Sequence, residues 1–287
     1  MSTQGSSRTV LITGATDGLG KAAALLLAER GYNVFAAGRS AAKREELDAV
    51  AREKKLPLQS MEMDVCDDAS VKRAVSSVLA QRGAIDVLIN NAGLAYVATV
   101  EDMTMEDWRK QFETNFFGAL RVTREVLPQM RERRSGRILM MSSVSGLVTP
   151  PTQGAYSASK HALEGLSNAL RLELHPFNVK IILIEPGYIM TNIQQTASAL
   201  RQAYQEEIEH GPYAKIYAGS LAGASSTRSK SRTTPEDCAR IMLKAIEAPN
   251  PKARYGVTRI ATLVKLAKRF MTDEGIDAMM RGRYGIK

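Results

Sequence analysis

Residues 8–13 read Arg-Thr-Val-Leu-Ile-Thr and run without a break into Gly14-Ala15-Thr16-Asp17-Gly18-Leu19-Gly20. An Ala/Leu-rich stretch, Lys21 to Arg30, follows and stops at Gly31. The β-branched apolar run fits a buried strand, and the stretch after the glycines fits a helix. Strand, glycine-rich turn and helix together leave few folds open. Glycines let the backbone approach a bound group, while a helix N-terminus offers unpaired N–H groups and partial positive charge, so the turn suits a diphosphate. A tight turn that binds nothing is the competing reading.

The same alternation continues. Strands are expected at 32–37, 58–63, 85–90, 138–141 and 180–185, with helices at 41–55, 70–82, 105–133 and from Tyr156 onward. Pro128 should kink or end the long third of these helices. Alternating strand and helix implies an α/β fold: a doubly wound, Rossmann-type parallel sheet with helices on both faces. Ligands in such sheets sit beyond the strand C-termini, at the switch in strand order. Those positions hold Gly14 to Gly20, Arg39, Asp64, Asn90 to Gly93, Ser142 to Ser145 and Pro186 to Thr191. Beyond Tyr188 the pattern becomes uneven. A helical piece at 193–209 should lead into a Gly/Ser-rich loop at 219–231, and Thr234-Pro235-Glu236-Asp237 should open another helix. No linker divides the chain. Residues 1–250 read as one domain with a substrate-loop region about 188–232, and 251–287 as a basic helical extension packed on it.

Tyr156 and Lys160 stand four apart at the start of an apolar-periodic segment and would share a helical face. A cation beside a phenol favours the phenolate, and a tyrosine so tuned can exchange a proton with a carbonyl or an alcohol. By itself the pair is a common chance match.

Composition excludes several other classes. Two cysteines, Cys66 and Cys238, have no metal-ligand spacing and fit a reducing, cytoplasmic compartment. The three histidines form no motif, and no metal is expected. The first residues are polar and lack a signal-peptide core, and no apolar run approaches a membrane span. Net charge is +9, and residues 251–287 carry nine bases against three acids. This excess is expected to be a solvated basic face. On a helix at 259–271, Ile260, Leu263, Val264, Ala267, Phe270 and Met271 would share one side. Packing on the chain's own domain, or over a substrate pocket, is the favoured reading of that side, with peripheral membrane contact the alternative. No nucleic-acid partner is expected.

Thr13-Gly14-x-x-x-Gly18-x-Gly20, Asn90-Asn91-Ala92-Gly93, Asn115, Ser143, Tyr156-x-x-x-Lys160 and Pro186-Gly187 stand in the order and spacing of the short-chain dehydrogenase/reductase family, which the chain resembles from about Arg8 to Ala248. Leu163-Glu164-Gly165 and the C-terminal extension are similar to the branch of 17β-hydroxysteroid and retinol dehydrogenases. The resemblance implies that Tyr156 is the proton donor or acceptor, and that Lys160 lowers its pKa and binds the nicotinamide ribose. It further implies that Ser143 bonds the substrate oxygen and that Asn115 holds a water linking Lys160 to solvent. For the cofactor it implies Gly14, Thr16, Gly18, Leu19 and Gly20 along the diphosphate, and Asp64 and Val65 at the adenine. Asn91, Ala92 and Gly93 would lie along the riboses, and Pro186, Gly187, Ile189 and Thr191 at the nicotinamide amide and phosphates. Asp64 could instead cap its own turn.

Arg39 points to NADP over NAD, because an arginine at the end of the second strand accommodates a 2′-phosphate where a carboxylate would repel it. Asp17 tempers this, since it stands by the same ribose at a position where some NADP-preferring relatives carry a base. Leu94, Tyr96, Val144, Leu147, Tyr188 and the segment 193–217 should line a largely apolar pocket, suited to a lipophilic alcohol or carbonyl such as a steroid, retinoid or aryl ketone. A homodimer or homotetramer is expected through 105–133 and 157–175. The rival functions are an NAD-preferring dehydrogenase and a non-catalytic dinucleotide-binding sensor or scaffold.

Overall fold

The computed structural model describes residues 8–191, 193–230 and 232–286, without the side chains of 193–195 and 228–230. The polar N-terminal stretch and the first side chains of the expected pocket segment lie outside the described residues.

Seven strands form one wholly parallel sheet: β1 (Thr9–Thr13), β2 (Asn33–Gly38), β3 (Leu58–Glu62), β4 (Val87–Asn90), β5 (Gly136–Met141), β6 (Val179–Glu185) and β7 (Arg254–Gly256). Their order is β3-β2-β1-β4-β5-β6-β7, so the chain reverses direction across the sheet between β1 and β4. Every residue of β1 and β4 is buried, as a strand covered on both faces requires. One face carries α1 (Gly18–Glu29), α2 (Ala41–Glu53) and α10 (Pro235–Glu247), packed through Leu27, Leu47, Met242 and Ile246. The other carries α3 (Asp68–Arg82), α5 (Gly118–Glu132) and α6 (Gly154–Glu173), packed through Val75, Val126, Leu163 and Leu170. The doubly wound expectation holds. β7 was not anticipated: the extension begins with a short strand that pairs Arg254 to Leu183 before it turns helical.

The expected long helix at 105–133 is α4 (Met105–Phe112) and α5, joined through a π-helical turn at Glu113–Phe117. Pro128 sits inside α5 without ending it. A π turn adds a residue to the helical register, and such turns recur at functional sites. Here it buries Asn115.

Residues 188–286 add α7 (Ile193–Arg201), α8 (Gln205–His210), α9 (Ala214–Lys230), α11 (Arg259–Phe270) and α12 (Asp273–Tyr284). The expected loop at 219–231 is therefore corrected to helix as far as Lys230. The alanines and leucine among its small residues favour helix. Gly219 and Gly223 let α12 approach, since a Cβ on Gly223 would stand 2.6 Å from the Tyr284 ring. Tyr217 anchors α9: its hydroxyl accepts from Thr99 N at 2.9 Å and donates to Asp102 Oδ2 at 2.8 Å. Composition that reads as flexible in one dimension is a close-packing face in three.

α11 packs on the domain through Ala261 and Val264, and Ile260 covers Gly187, while Leu263 and Phe270 of the same apolar side face outward.

Candidate active site

The glycine-rich turn is held by its neighbours before any ligand is considered. Gly14 has φ +61°, and a Cβ there would lie 2.8 Å from Ala92 Cα. Gly20 is packed against the Gly14–Ala15 backbone and the Asn91 amide, so only glycine fits. Asn91 Nδ2 donates to the carbonyls of Thr13 and Gly14, each at 2.9 Å. The Thr13 hydroxyl accepts from Asn91 N and Ala92 N, each at 3.0 Å. The Asn91 side chain thus staples β4 to β1. Thr13, read from sequence only as a motif member, is the other half of that staple. Asp17 caps α1, accepting from Gly18 N at 2.7 Å.

At the end of β2, Arg39 is largely exposed and its NH1 lies 3.8 Å from Asp64 Oδ2. Lys43, which sequence reasoning missed, donates to Asp17 Oδ2 at 2.5 Å. The acid that tempered the NADP reading is thereby neutralised by a second cation on the same rim. Asp64 Oδ1 accepts from Cys66 N at 3.0 Å, so it does cap its own turn while facing Arg39. Val65 has its side chain buried in the core beside Gly118, and its carbonyl accepts from Arg121, so it would meet a ligand only through its backbone N–H.

Ser143, Tyr156 and Lys160 meet beyond β5. Ser143 stands beside the phenol of Tyr156 and opposes the rise of its pKa, and its Oγ accepts from Ser145 N at 3.1 Å. Ser142 differs: its hydroxyl donates to buried Glu164 at 2.5 Å. The two adjacent serines are separated by their partners, and Ser142 is turned away to the carboxylate. Burial raises the Tyr156 pKa above its ordinary value. Lys160 is not among the causes of that shift. The lysine Nζ donates to the Met141 carbonyl at 2.7 Å and stands 5.7 Å from the phenol ring centroid. Burial brings Lys160 itself down to about 8, opposed by Glu164. Asn115 accepts from Leu94 N at 2.9 Å and donates to Leu94 O at 3.0 Å and Ser159 Oγ at 3.2 Å. Its amide clamps the segment after Gly93 onto the Tyr156 helix.

Pro186 and Gly187 follow β6, and Val144 N donates to the Pro186 carbonyl at 2.9 Å. Gly187 is covered by Thr258 and Ile260, at the start of α11. Ile189 is buried in the core, so only its backbone can face a ligand. Thr191 lies against Gly18, where a Cβ would be 3.3 Å away. Among the pocket positions, Leu94, Val144, Leu147 and Tyr188 are partly open at this edge. Tyr96 is a correction: it is buried with Met103, Ala155 and Tyr204, and burial together with Asp107 pushes its hydroxyl up to about 12. A cleft of about 530 Å³ opens between 147–154 and the α12 side of the extension, lined by Leu147, Pro151, His161, Ile276 and Met280. Neither Ser143 nor Tyr156 lines it.

Behind Ser143, Tyr156 and Lys160 lies a second feature that sequence reasoning missed. Arg254 on β7 bridges Glu164 and Glu185, and Lys265 on α11 also reaches Glu185. Both carboxylates are buried. The available signal was Glu164 four residues after Lys160, an i, i+4 pair on the inner face of α6. Among the described residues, no group of three or more His, Cys, Asp or Glu could hold a metal ion.

Residues 8–202 match the short chain dehydrogenase family. The chain belongs to this family. It is similar to a 3-ketodihydrosphingosine reductase from Bacteroides thetaiotaomicron, 34% identical over 97% of this chain and 98% of that protein. It is also similar to retinol dehydrogenase 8 of Bos taurus, 35% identical over 90% of this chain and 84% of that protein. An actinorhodin polyketide ketoreductase solved with NADPH superposes with a TM-score of 0.75 at 29% identity, covering 90% of this chain and 97% of that one. The fold is that of an NAD(P)-dependent oxidoreductase.

Proposed function

We propose that the protein is an NADP-dependent reductase of lipophilic ketones, or dehydrogenase of the matching secondary alcohols, with Tyr156 as acid/base. The observation that carries this reading is the Tyr156 phenol set beside Ser143 and buried Lys160, whose Nζ stands 5.7 Å from the ring centroid. A phenol whose pKa is raised stays protonated at neutral pH, the form a proton donor to a carbonyl needs. Ser143 stands beside that phenol, so a carbonyl oxygen placed against both would receive two donors where negative charge develops. Lys160, at about 8, is an ammonium at neutral pH and supplies positive charge close to the phenol. Asn115 and Ser159 fix the helix that carries both groups.

The residues fit a dinucleotide. Gly14, Gly18 and Gly20 form a cradle that side chains would fill. Thr16, Leu19 and the α1 N-terminus border it, with Asn91, Ala92 and Gly93 beyond β4 and Pro186, Gly187 and Thr191 beyond β6. When bound, the nicotinamide supplies the hydride. Arg39 and Lys43 would hold a 2′-phosphate, which favours NADPH over NADH. The reductase and retinol dehydrogenase named above act on long apolar molecules by their names, and Leu94, Val144, Leu147 and Tyr188 offer an apolar lining. We also read the protein as cytoplasmic, and as a homodimer or homotetramer across α5 and α6, where Phe117 and Leu172 are exposed.

The test is a screen of long-chain, retinoid, steroid and aryl ketones against sugars and keto acids, following NADPH absorbance. Turnover confined to the apolar set is expected. Preference for a charged substrate, or for NADH, contradicts the reading.

A further inference from the structure

Helix α11 turns its most apolar side away from the protein. Leu263, Leu266 and Phe270 follow the i, i+3, i+7 spacing of one helical face. They are 60%, 49% and 75% exposed, while Ala261 and Val264 make the packing contact beneath them. Ile260 and Met271 extend the exposed stripe at either end, each at 38%. Scattered exposed leucines are ordinary, but a continuous stripe on the outer face of one helix marks an interaction surface.

Charge identifies what covers it. α11 carries Arg259, Lys265, Lys268 and Arg269 and no acidic residue. Lys265 is spent on buried Glu185, whereas Arg259, Lys268 and Arg269 are exposed and have no carboxylate within salt-bridge distance among the described residues. A second copy of the chain is a poor partner. A two-fold interface sets the same patch against itself, and here that brings together two segments of net +6, nine bases against three acids in residues 251–287. A surface that is apolar just below an anionic layer complements both features at once.

We propose that the outward face of α11 docks the protein on an anionic bilayer. Among the described residues no helix is long and apolar enough to cross a membrane, so the contact is peripheral. α11 also lies over the catalytic edge: Ile260 covers Gly187, and Lys265 ties the helix to the end of β6. Docking through Leu263, Leu266 and Phe270 therefore sets the substrate side of the sheet close to the lipid, where a lipophilic substrate is dissolved.

The full chain is sedimented with vesicles of phosphatidylcholine alone and of phosphatidylcholine containing a quarter phosphatidylserine. Binding is expected to the anionic vesicles and to weaken in near-molar salt, where exposed charges are screened. Replacing three exposed side chains leaves the packing face intact, so Leu263→Gln/Leu266→Gln/Phe270→Gln should fold normally and bind about tenfold less or weaker still. Circular dichroism of the triple variant checks its fold. Equal sedimentation of wild type and variant, or no sedimentation of the wild type, overturns the proposal. So does light scattering in which the wild type is a dimer and the triple variant a monomer, which would give the face to a second copy. None of these readouts requires turnover, so they stand apart from the proposed reductase activity.

Discussion

The glycine cradle at the β1–β4 switch and the helical region from 188 onward are built on different principles. In the cradle, backbone meets backbone. Gly14, Gly20, Thr13 and Asn91 occupy positions that almost no other residue types can fill, and their hydrogen bonds run between main-chain groups and short side chains. In the helical region, α9, α11 and α12 are tied by a few side chains such as Tyr217 and Lys265 and leave large apolar side chains exposed. A diphosphate is the same in every dinucleotide, so its cradle is geometrically fixed. A substrate differs from one family member to the next, and the elements around it are held by contacts that can be exchanged.

The largest expected effect lies in the cradle. Gly20→Ala places a methyl group 2.5 Å from Asn91 Nδ2, and something in the staple must shift. NADPH affinity should fall at least a hundred-fold, roughly the effect of losing two charge-assisted contacts. Retained affinity, measured by fluorescence titration, would mean that the cradle is looser than its contacts imply.

Next in size is the rim. Arg39→Ala should lower the NADPH-to-NADH ratio of catalytic efficiencies on the order of ten- to a hundred-fold, the range of one charge-assisted hydrogen bond. Lys43→Ala should act in the same direction, because it both removes a cation and unmasks Asp17. An unchanged ratio in both variants would remove the 2′-phosphate from this rim. Converting Gly38 to Asp is a poor way to invert the preference, since its Cβ would meet Thr16 at 2.7 Å.

These two cases also show what could be read from sequence. The strand–turn–helix order, the switch-point residues and the Tyr156–Lys160 pair rest on local spacing and could be read, whereas Ser143 came only from the family resemblance. Lys43 was not, because it meets Asp17 only after α2 folds back beside the glycine turn. β7 is three residues long and has no period of its own, and it forms because β6 offers an edge. The small residues of α9 carry no sign of the tyrosine they pack on. Burial raises the Tyr156 pKa, and neighbours in sequence do not report burial.

A smaller effect concerns stability. Buried Lys160 titrates near 8 instead of 10.5, so between those values the unfolded chain holds more protons and wild-type stability rises with pH. Below about 8 the folded protein bears the cost of a buried ammonium. Lys160→Met should therefore be more stable than wild type at pH 7, by on the order of 3 kcal/mol before the lost bond to Met141 is counted. That advantage should shrink towards pH 10. Urea midpoints at the two pH values measure it, and an advantage independent of pH would refute the titration.

The smallest effect tests the helical region. Tyr217→Phe removes two hydrogen bonds at the base of α9 and should cost about 1–2 kcal/mol. It should raise KM for the carbonyl substrate while leaving NADPH affinity as it was. A loss of NADPH affinity would show that the two regions are coupled after all.

The central claim is that Tyr156 transfers the proton. Tyr156→Phe keeps the ring and its packing and removes only the hydroxyl beside Ser143. Turnover of a reducible ketone and NADPH binding, measured on the same preparation, decide the matter. Turnover is expected to fall at least a thousand-fold, within the range of removing a general acid and its bond, with the NADPH dissociation constant within a few-fold of wild type. A variant that keeps a tenth of wild-type turnover would contradict the assignment.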